Sequence, residues 1–236
     1  MKILAIESAA LVASAALAEE GSLLAELSLN TKLTHSQTLL PLISELFART
    51  GLSGEDLDAI AVSAGPGSFT GLRIGAATAK GLARAWDKPL VPVCTLDAMA
   101  YGFWGCRYLI CPIMDARRDQ VYTRLYQASE TGAPTPLEEP GAMSIRERTD
   151  SLLQRQQTVV FTGDGVPVFK DVIREAMQDL ALFAPPHISR QRAGAVGALG
   201  LAKLAEGETV SPEAFAPFYL RMSQAERVRQ ESLQSP

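Results

Sequence analysis

The stretch from residue 59 to 86 constrains the fold more than any other. An apolar run over 59–64 leads into Gly65-Pro66-Gly67-Ser68-Phe69-Thr70-Gly71, and a helical run over 72–86 follows. A buried strand, a glycine turn and a helix in immediate succession is the signature of an α/β chain. The turn leaves the N–H groups at the helix start without intrahelical partners, and such groups can hold an anion. Its spacing matches neither the P-loop nor the dinucleotide fingerprint, and no Lys-Ser or Lys-Thr pair follows. Two readings stay open: glycines that allow close packing, or a phosphate contact through Gly65, Gly67 and Ser68.

The helix after the turn is built from small residues: Gly75, Ala76, Ala77, Ala79, Gly81, Ala83 and Ala85. A glycine inside a helix costs about 1 kcal/mol relative to alanine, so two of them imply close approach by another backbone. That backbone belongs either to this chain or to another subunit.

Residues 2–6 read as a strand buried on both faces, residues 11–17 as a second and 22–29 as a third, giving an antiparallel meander. The first twenty residues also have the look of a signal peptide, but Glu7 interrupts the apolar run. Over 34–50 the period changes to helical: Leu39, Leu42, Ile43, Leu46 and Phe47 share a face, with Thr34 and Gln37 as a capping box and Gly51 as the stop. Pro41 should kink the first turns. A strand at 90–93 and a helix at 96–104 complete this part.

The second half repeats some of that order. Strands are expected at 108–114 and 120–127 around a polar turn, then a loop over 128–140 rich in Pro, Thr, Gly and Glu. A strand at 158–162, a turn at Gly163-Asp164-Gly165, a helix over 166–180 and an alanine-rich helix over 193–205 follow. Two similar α/β lobes result, with a polar tail from Arg221 to the end.

With 236 residues and 47% hydrophobic content the chain can bury a substantial core. Against 22 basic residues stand 26 acidic ones, and no basic stripe is visible, so a nucleic-acid role would run through a partner. No run of apolar residues is long enough to span a membrane. Cys94, Cys106 and Cys111 have neither metal nor disulfide spacing and suit a reducing compartment. His35 and His187 are the only histidines, and they form no pair of the kind zinc sites use. Glu7, Asp115 and Asp164 sit at strand ends or turns, where carboxylates in α/β folds often face a cleft and could hold a hydrated metal or act as bases; taken singly, each reads first as a solvated turn acid.

Several stretches, taken together and in order, resemble one family: ILAIES, HSQTLLPLI, AVSAGPGSFTGLRIGAATAKGLA, VPVCTLDAMA, IMDARRDQVY, TGDG and FAPFYLR are similar to the bacterial TsaB family, also called YeaZ. The resemblance runs from residue 1 to about 221. It implies the actin-like, Hsp70-like ATPase fold with two βββαβα-type lobes: residues 1–101 completed by a C-terminal helix at about 195–221, residues 102–194, and a tail over 222–236. It also implies a cytoplasmic, non-catalytic partner of TsaD, working with TsaE to place a threonylcarbamoyl group on adenosine 37 of ANN-decoding tRNAs, with tRNA reached only through the complex. The metal-binding histidines of TsaD fall by position on Thr95 and Met99, so no metal or other cofactor is expected, beyond ATP or ADP within the complex. The family's Asp-Thr-Ser is Glu7-Ser8-Ala9 here.

A docking face for TsaD, or for a second copy when TsaD is absent, is implied on the two helices: His35, Leu39, Leu42 and Ile43 on the first, Leu72, Gly75, Ala76, Ala79 and Ala83 on the second. Ala79→Glu and Gly75→Arg should then abolish docking and spare the monomer. The alternative is a stand-alone ATP-dependent kinase or hydrolase, with Glu7, Asp115 and the glycine loop holding Mg-ATP.

Overall fold

The computed structural model of the protein describes residues 1–31 and 33–221; the polar tail expected beyond them, at 222–236, lies outside the described residues. The chain forms two sheets in succession. The first holds β1 (Lys2–Glu7), β2 (Ala13–Glu19), β3 (Ser22–Leu29), β4 (Ala59–Gly65) and β5 (Leu90–Cys94), in the order β3-β2-β1-β4-β5. The three N-terminal strands are antiparallel, and β4 and β5 run parallel to β1. Three helices interleave: α1 (His35–Thr50), α2 (Phe69–Trp86) and α3 (Thr95–Tyr101).

Strand alternation assigns each face of this sheet. Leu4, Ile6, Leu17, Ile60 and Val62 point toward α1 and α2, where Leu39, Leu42, Ile43, Leu46, Ala76, Ala79 and Ala83 meet them. Ile3, Ala5, Ala16, Ala18, Ala59 and Ala61 point the other way, toward α6 (Ala193–Ala205). The alanines on that face let the helix come close. A Cβ on Gly200 would stand 2.5 Å from that of Ala61. The C-terminal helix therefore belongs to the first sheet's packing although it follows the second sheet in sequence.

The second sheet contains β6 (Leu109–Asp115), β7 (Gln120–Thr123), β8 (Tyr126–Gln127), β9 (Thr135–Pro136), β10 (Gly141–Ser144), β11 (Val159–Thr162) and β12 (Ala181–Phe183). Its main path is β10-β7-β6-β11-β12, with β8 paired to β6 and β9. α4 (Ile145–Leu153) and α5 (Val166–Met177) cover one face through Ile145, Leu152, Phe169, Ile173 and Met177. Leu72, Leu96, Met99, Phe103, Ile110, Met114 and Tyr126 form a further apolar cluster that joins the two halves.

Several expected boundaries shift. β2 starts at Ala13 rather than 11, because Leu11 stays 62% exposed in the loop before it. α2 starts at Phe69, three residues before the expected 72, with Ser68 as its cap accepting the Gly71 N–H at 3.3 Å. The single strand expected over 120–127 breaks into β7 and β8, since Arg124 turns inward to Asp97 and Glu138. The expected loop over 128–140 contains β9. α4 forms where no element is expected, although Ser144 and Glu147 make a full capping box at its start.

Candidate functional site

Two surfaces gather the residues singled out in the sequence. The first is the α1–α2 pair, and here the structure corrects the expected docking face. Leu39, Leu42, Ile43, Leu72, Gly75, Ala76, Ala79 and Ala83 are all buried within this chain. Helical periodicity groups these residues on one face but does not say whether the face looks in or out. Large and small apolar residues together fit a sheet as well as they fit a subunit. Close approach accounts for Gly75, and for Gly71 at the helix start, but not for Gly81. A Cβ at Gly71 would lie 2.2 Å from the Ser8 carbonyl oxygen, and one at Gly75 would lie 2.1 Å from Ser8 Oγ. The close backbone is the β1–β2 connection of the same chain. His35 is half-buried, with Nε2 2.7 Å from the Ala10 carbonyl oxygen, so its N–H donates to that loop.

The outward face of the pair is made of other residues. On α2 it carries Arg73, Ala77, Gly81, Arg84 and Ala85, with Ile74, Thr78 and Leu82 half-buried beside them. On α1 it carries Leu40, which is 53% exposed, together with Pro41, Ser44 and Ala48. The helix runs through Pro41 on this solvent side. A Cβ on Gly81 would meet nothing within 4 Å, so this stripe is smooth and open to a second helix.

The second surface is a cleft of about 790 Å³ between the two halves. Its walls come from the β1–β2 loop (Ala9 to Leu11), the start of α2, the β6–β7 turn, Asp164 at the start of α5, and the C-terminal segment Tyr219 to Arg221. The β6–β7 turn holds Arg117, Arg118 and Asp119 at φ of 64°, 54° and 57°, a left-handed run that side chains rarely adopt. Tyr219 stacks on Phe69 with ring centres 4.9 Å apart, and the Arg73 guanidinium covers Phe69 at 3.8 Å.

The carboxylates cluster behind this cleft. Glu7 is fully buried; its Oε1 accepts the Ala9 N–H at 2.6 Å and its Oε2 has no hydrogen-bond partner. Burial pushes its pKa up to about 7, with the charge of Asp164 adding to the effect. Burial also raises Asp164, whose Oδ1 accepts from Gln191 Nε2 at 3.1 Å, and Asp115 pushes in the same direction. The reading of these acids as solvated turn residues therefore fails for Glu7 and Asp164. Asp115 is 15% exposed and pairs with Arg117 at 3.2 Å.

The glycine loop is filled from within. A Cβ at Gly65 would lie 2.3 Å from the Phe218 carbonyl oxygen, and one at Gly67 would lie 2.4 Å from that of Ala9. The Ser68 N–H donates to Ala9 at 2.7 Å. Of the two readings of this loop, close packing accounts for Gly65 and Gly67. At the positions that the resemblance gives to metal-binding histidines, Thr95 is buried with its hydroxyl unpaired and Met99 packs in the joining cluster. Among the described residues no group of three or more His, Cys, Asp or Glu side chains is placed to hold a metal, and no helix is long and apolar enough to cross a membrane.

Two networks escape sequence reasoning. Asp97 of α3 accepts from Arg124 Nη1 at 2.8 Å and from the Tyr126 hydroxyl at 2.5 Å, tying the first half to the second. Arg148, almost fully buried in α4, pairs with Glu138 at 2.5 Å and donates to Cys111 Sγ at 3.3 Å. Nothing in the spacing of these residues signals that they meet.

The family model described as "TsaD: tRNA N6-adenosine threonylcarbamoyltransferase" matches residues 23–228. The "tRNA threonylcarbamoyladenosine biosynthesis protein TsaB" of Escherichia coli (strain K12) is 34% identical over 230 residues, covering 94% of this chain and 95% of that protein. A crystal structure from Pseudomonas aeruginosa, of a protein described as similar to peptidase YEAZ, superposes with a TM-score of 0.76 at 28% identity, covering 93% of this chain and 99% of the other. The activator of 2-hydroxyisocaproyl-CoA dehydratase from Clostridium difficile superposes with a TM-score of 0.50 at 12% identity, over 88% of this chain and 97% of the other. This last likeness bears on fold alone. The two-sheet architecture is the actin-like fold.

Proposed function

The chain belongs to the TsaB (YeaZ) family, and from that premise we propose that it is a non-catalytic, cytoplasmic subunit of the assembly that makes N6-threonylcarbamoyladenosine at position 37 of ANN-decoding tRNAs. Its partners in this reading are a TsaD-type transferase and a TsaE-type ATPase. The chain has no cofactor of its own in this reading, and ATP or ADP would enter only within that assembly. The observation that carries the reading is full-length similarity to a protein named for that pathway, in a chain that has Thr95 and Met99 where the transferase's histidines would stand. A lone neutral hydroxyl and a soft thioether do not replace the pair of imidazoles that would hold a catalytic metal ion.

The docking face in this reading is the outward stripe of α1 and α2, centred on Leu40, Ala77 and Gly81. Small side chains let two helix axes approach closely, and Leu40 and Ile74 supply apolar area at the seam. The same stripe serves a second copy of the chain when the transferase is absent, because related folds present related helix pairs. A reconstituted reaction tests the function. With cognate transferase, ATPase, tRNA and threonylcarbamoyl-adenylate, modified adenosine should form only when this chain is added, and the chain alone should yield none. Full-rate modification without it would overturn the proposal.

A further inference from the structure

We propose that the rim of the interlobe cleft contacts RNA directly, holding a stretch of phosphate backbone on Arg117, Arg118 and Arg221 with an unpaired base against Tyr219. The inference rests on the tRNA-modification reading above, and adds a direct contact to a route otherwise made only through partner subunits.

Charge is layered in the cleft. At the rim, Arg118 and Arg73 are exposed and the Arg117 side chain is 84% exposed. Arg221 is positioned by its own bond from Nη1 to the Ala116 carbonyl oxygen, 3.0 Å, which ties the C-terminal segment to the β6–β7 turn. Three guanidinium groups, those of Arg117, Arg118 and Arg221, thus line the opening against two carboxylates, Asp115 and Asp164, and Asp115 is paired with Arg117, in a chain whose net charge is −4. The surplus is local. The floor has the opposite character, with Asp164 lining it and the Glu7 carboxyl fully buried behind it.

A basic rim above an acidic floor favours an extended polyanion lying across the opening. It disfavours a compact triphosphate drawn down to the floor, where the Asp164 carboxyl lies and Gly65 and Gly67 are already packed against main-chain carbonyls. Tyr219 is 37% exposed and braced by Phe69, which Arg73 covers in turn. Exposed aromatic and guanidinium planes side by side are what unpaired bases stack on. The left-handed Arg117–Asp119 turn fits the same role, since side chains adopt that backbone at a cost, and such outliers gather at binding sites.

The test uses the full-length protein and a labelled anticodon stem-loop RNA followed by fluorescence anisotropy at several salt concentrations. Wild type should bind with strong salt dependence. Arg117→Glu with Arg118→Glu should weaken binding tenfold or more and flatten the logarithmic salt slope by roughly 0.7–0.9 for each phosphate no longer held. Arg118→Gly removes one charge while relieving the left-handed backbone, so it guards against misfolding and should weaken binding less. Tyr219→Ala should weaken binding without changing the salt slope. Absence of RNA binding by wild type, binding untouched by the arginine changes, or displacement of the RNA by stoichiometric ATP would each overturn the proposal. Co-purification with the TsaD-type partner separates the two readings. It should survive the arginine changes; its failure would make the rim a protein-docking surface and sink the RNA contact, whereas a wild-type chain dispensable for modification would sink the scaffold role instead.

Discussion

Gly75 and Ser8 occupy one space: a side-chain carbon on Gly75 would stand 2.1 Å from Ser8 Oγ, which itself donates to the Gly71 carbonyl oxygen at 2.9 Å. The small-residue face of α2 is therefore an internal fit to the β1–β2 connection. Gly75→Ala should destabilise the protein by about 1–3 kcal/mol through overpacking, outweighing the helix-propensity gain of about 1 kcal/mol. Ser8→Ala in the same chain should recover part of that stability, because it removes the colliding hydroxyl. Urea unfolding of the two single variants and the double variant measures the coupling. Additive effects would contradict the close approach. For the same reason Gly75→Arg and Ala79→Glu break the fold and report nothing about docking.

Gly81 provides the proper probe of the outward face, since a Cβ there meets nothing. Gly81→Ala should stabilise by about 0.5–1 kcal/mol. Gly81→Arg and Ala77→Glu should leave thermal unfolding nearly unchanged while abolishing co-purification with the TsaD-type partner. Partner binding that survives both changes would place docking elsewhere.

The buried Glu7 carboxyl gives stability a pH dependence of definite sign. Its folded pKa of about 7 lies above the ordinary 4.5, so between those values the folded state holds a proton that the unfolded chain has released. Stability from this group is highest at and below about pH 4.5, falls as pH rises to about 7, and then levels off, a change of about 3 kcal/mol. Asp164, also raised by burial, acts in the same direction. Glu7→Gln should remove most of this slope and be more stable than wild type at pH 8. Unfolding free energies at pH 5 and pH 8 for both proteins decide it; equal slopes would show that Glu7 ionises normally.

Arg148 and Glu138 should respond unequally to substitution. Arg148 is 1% exposed on its side chain and Glu138 is 30% exposed. Glu138→Ala leaves a buried guanidinium without its carboxylate and should cost about 3 kcal/mol. Arg148→Met fills similar space and leaves a carboxylate that water can reach, so its cost should be well below that. Thermal denaturation of the two variants compares them, and equal destabilisation would contradict the asymmetry.

Much of the first half is legible in the sequence because periodicity there is strong. The unbroken apolar run Ile3 to Ile6 names a strand buried on both faces, and the three-four spacing of Leu39, Leu42, Ile43 and Leu46 names a helix and its shared face. Direction is not legible. Ala79 and Ala83 look inward and Ala77 and Gly81 outward, yet side chains of that size carry almost no polarity to mark the difference. The second half is harder. Its strands are two to seven residues long, and Arg124, which breaks β7 from β8, does so for partners 27 and 14 positions away. At the cleft, strand-end position flags Glu7, Asp115 and Asp164. Their mutual approach, and the arrival of Tyr219 and Arg221 from the far end of the chain, depend on tertiary closure.

The Phe218 N–H donates to the Ala64 carbonyl oxygen at 2.6 Å, and α6 lies on the alanine face of the first sheet. One face of the first sheet is therefore still uncovered while the ribosome is translating the second. Until residues 193–218 have emerged, the nascent chain must carry an uncovered alanine face and an open glycine loop. Closure of the first half therefore waits on residues 193–218, and fragments ending before Phe218 should be captured by chaperones or degraded.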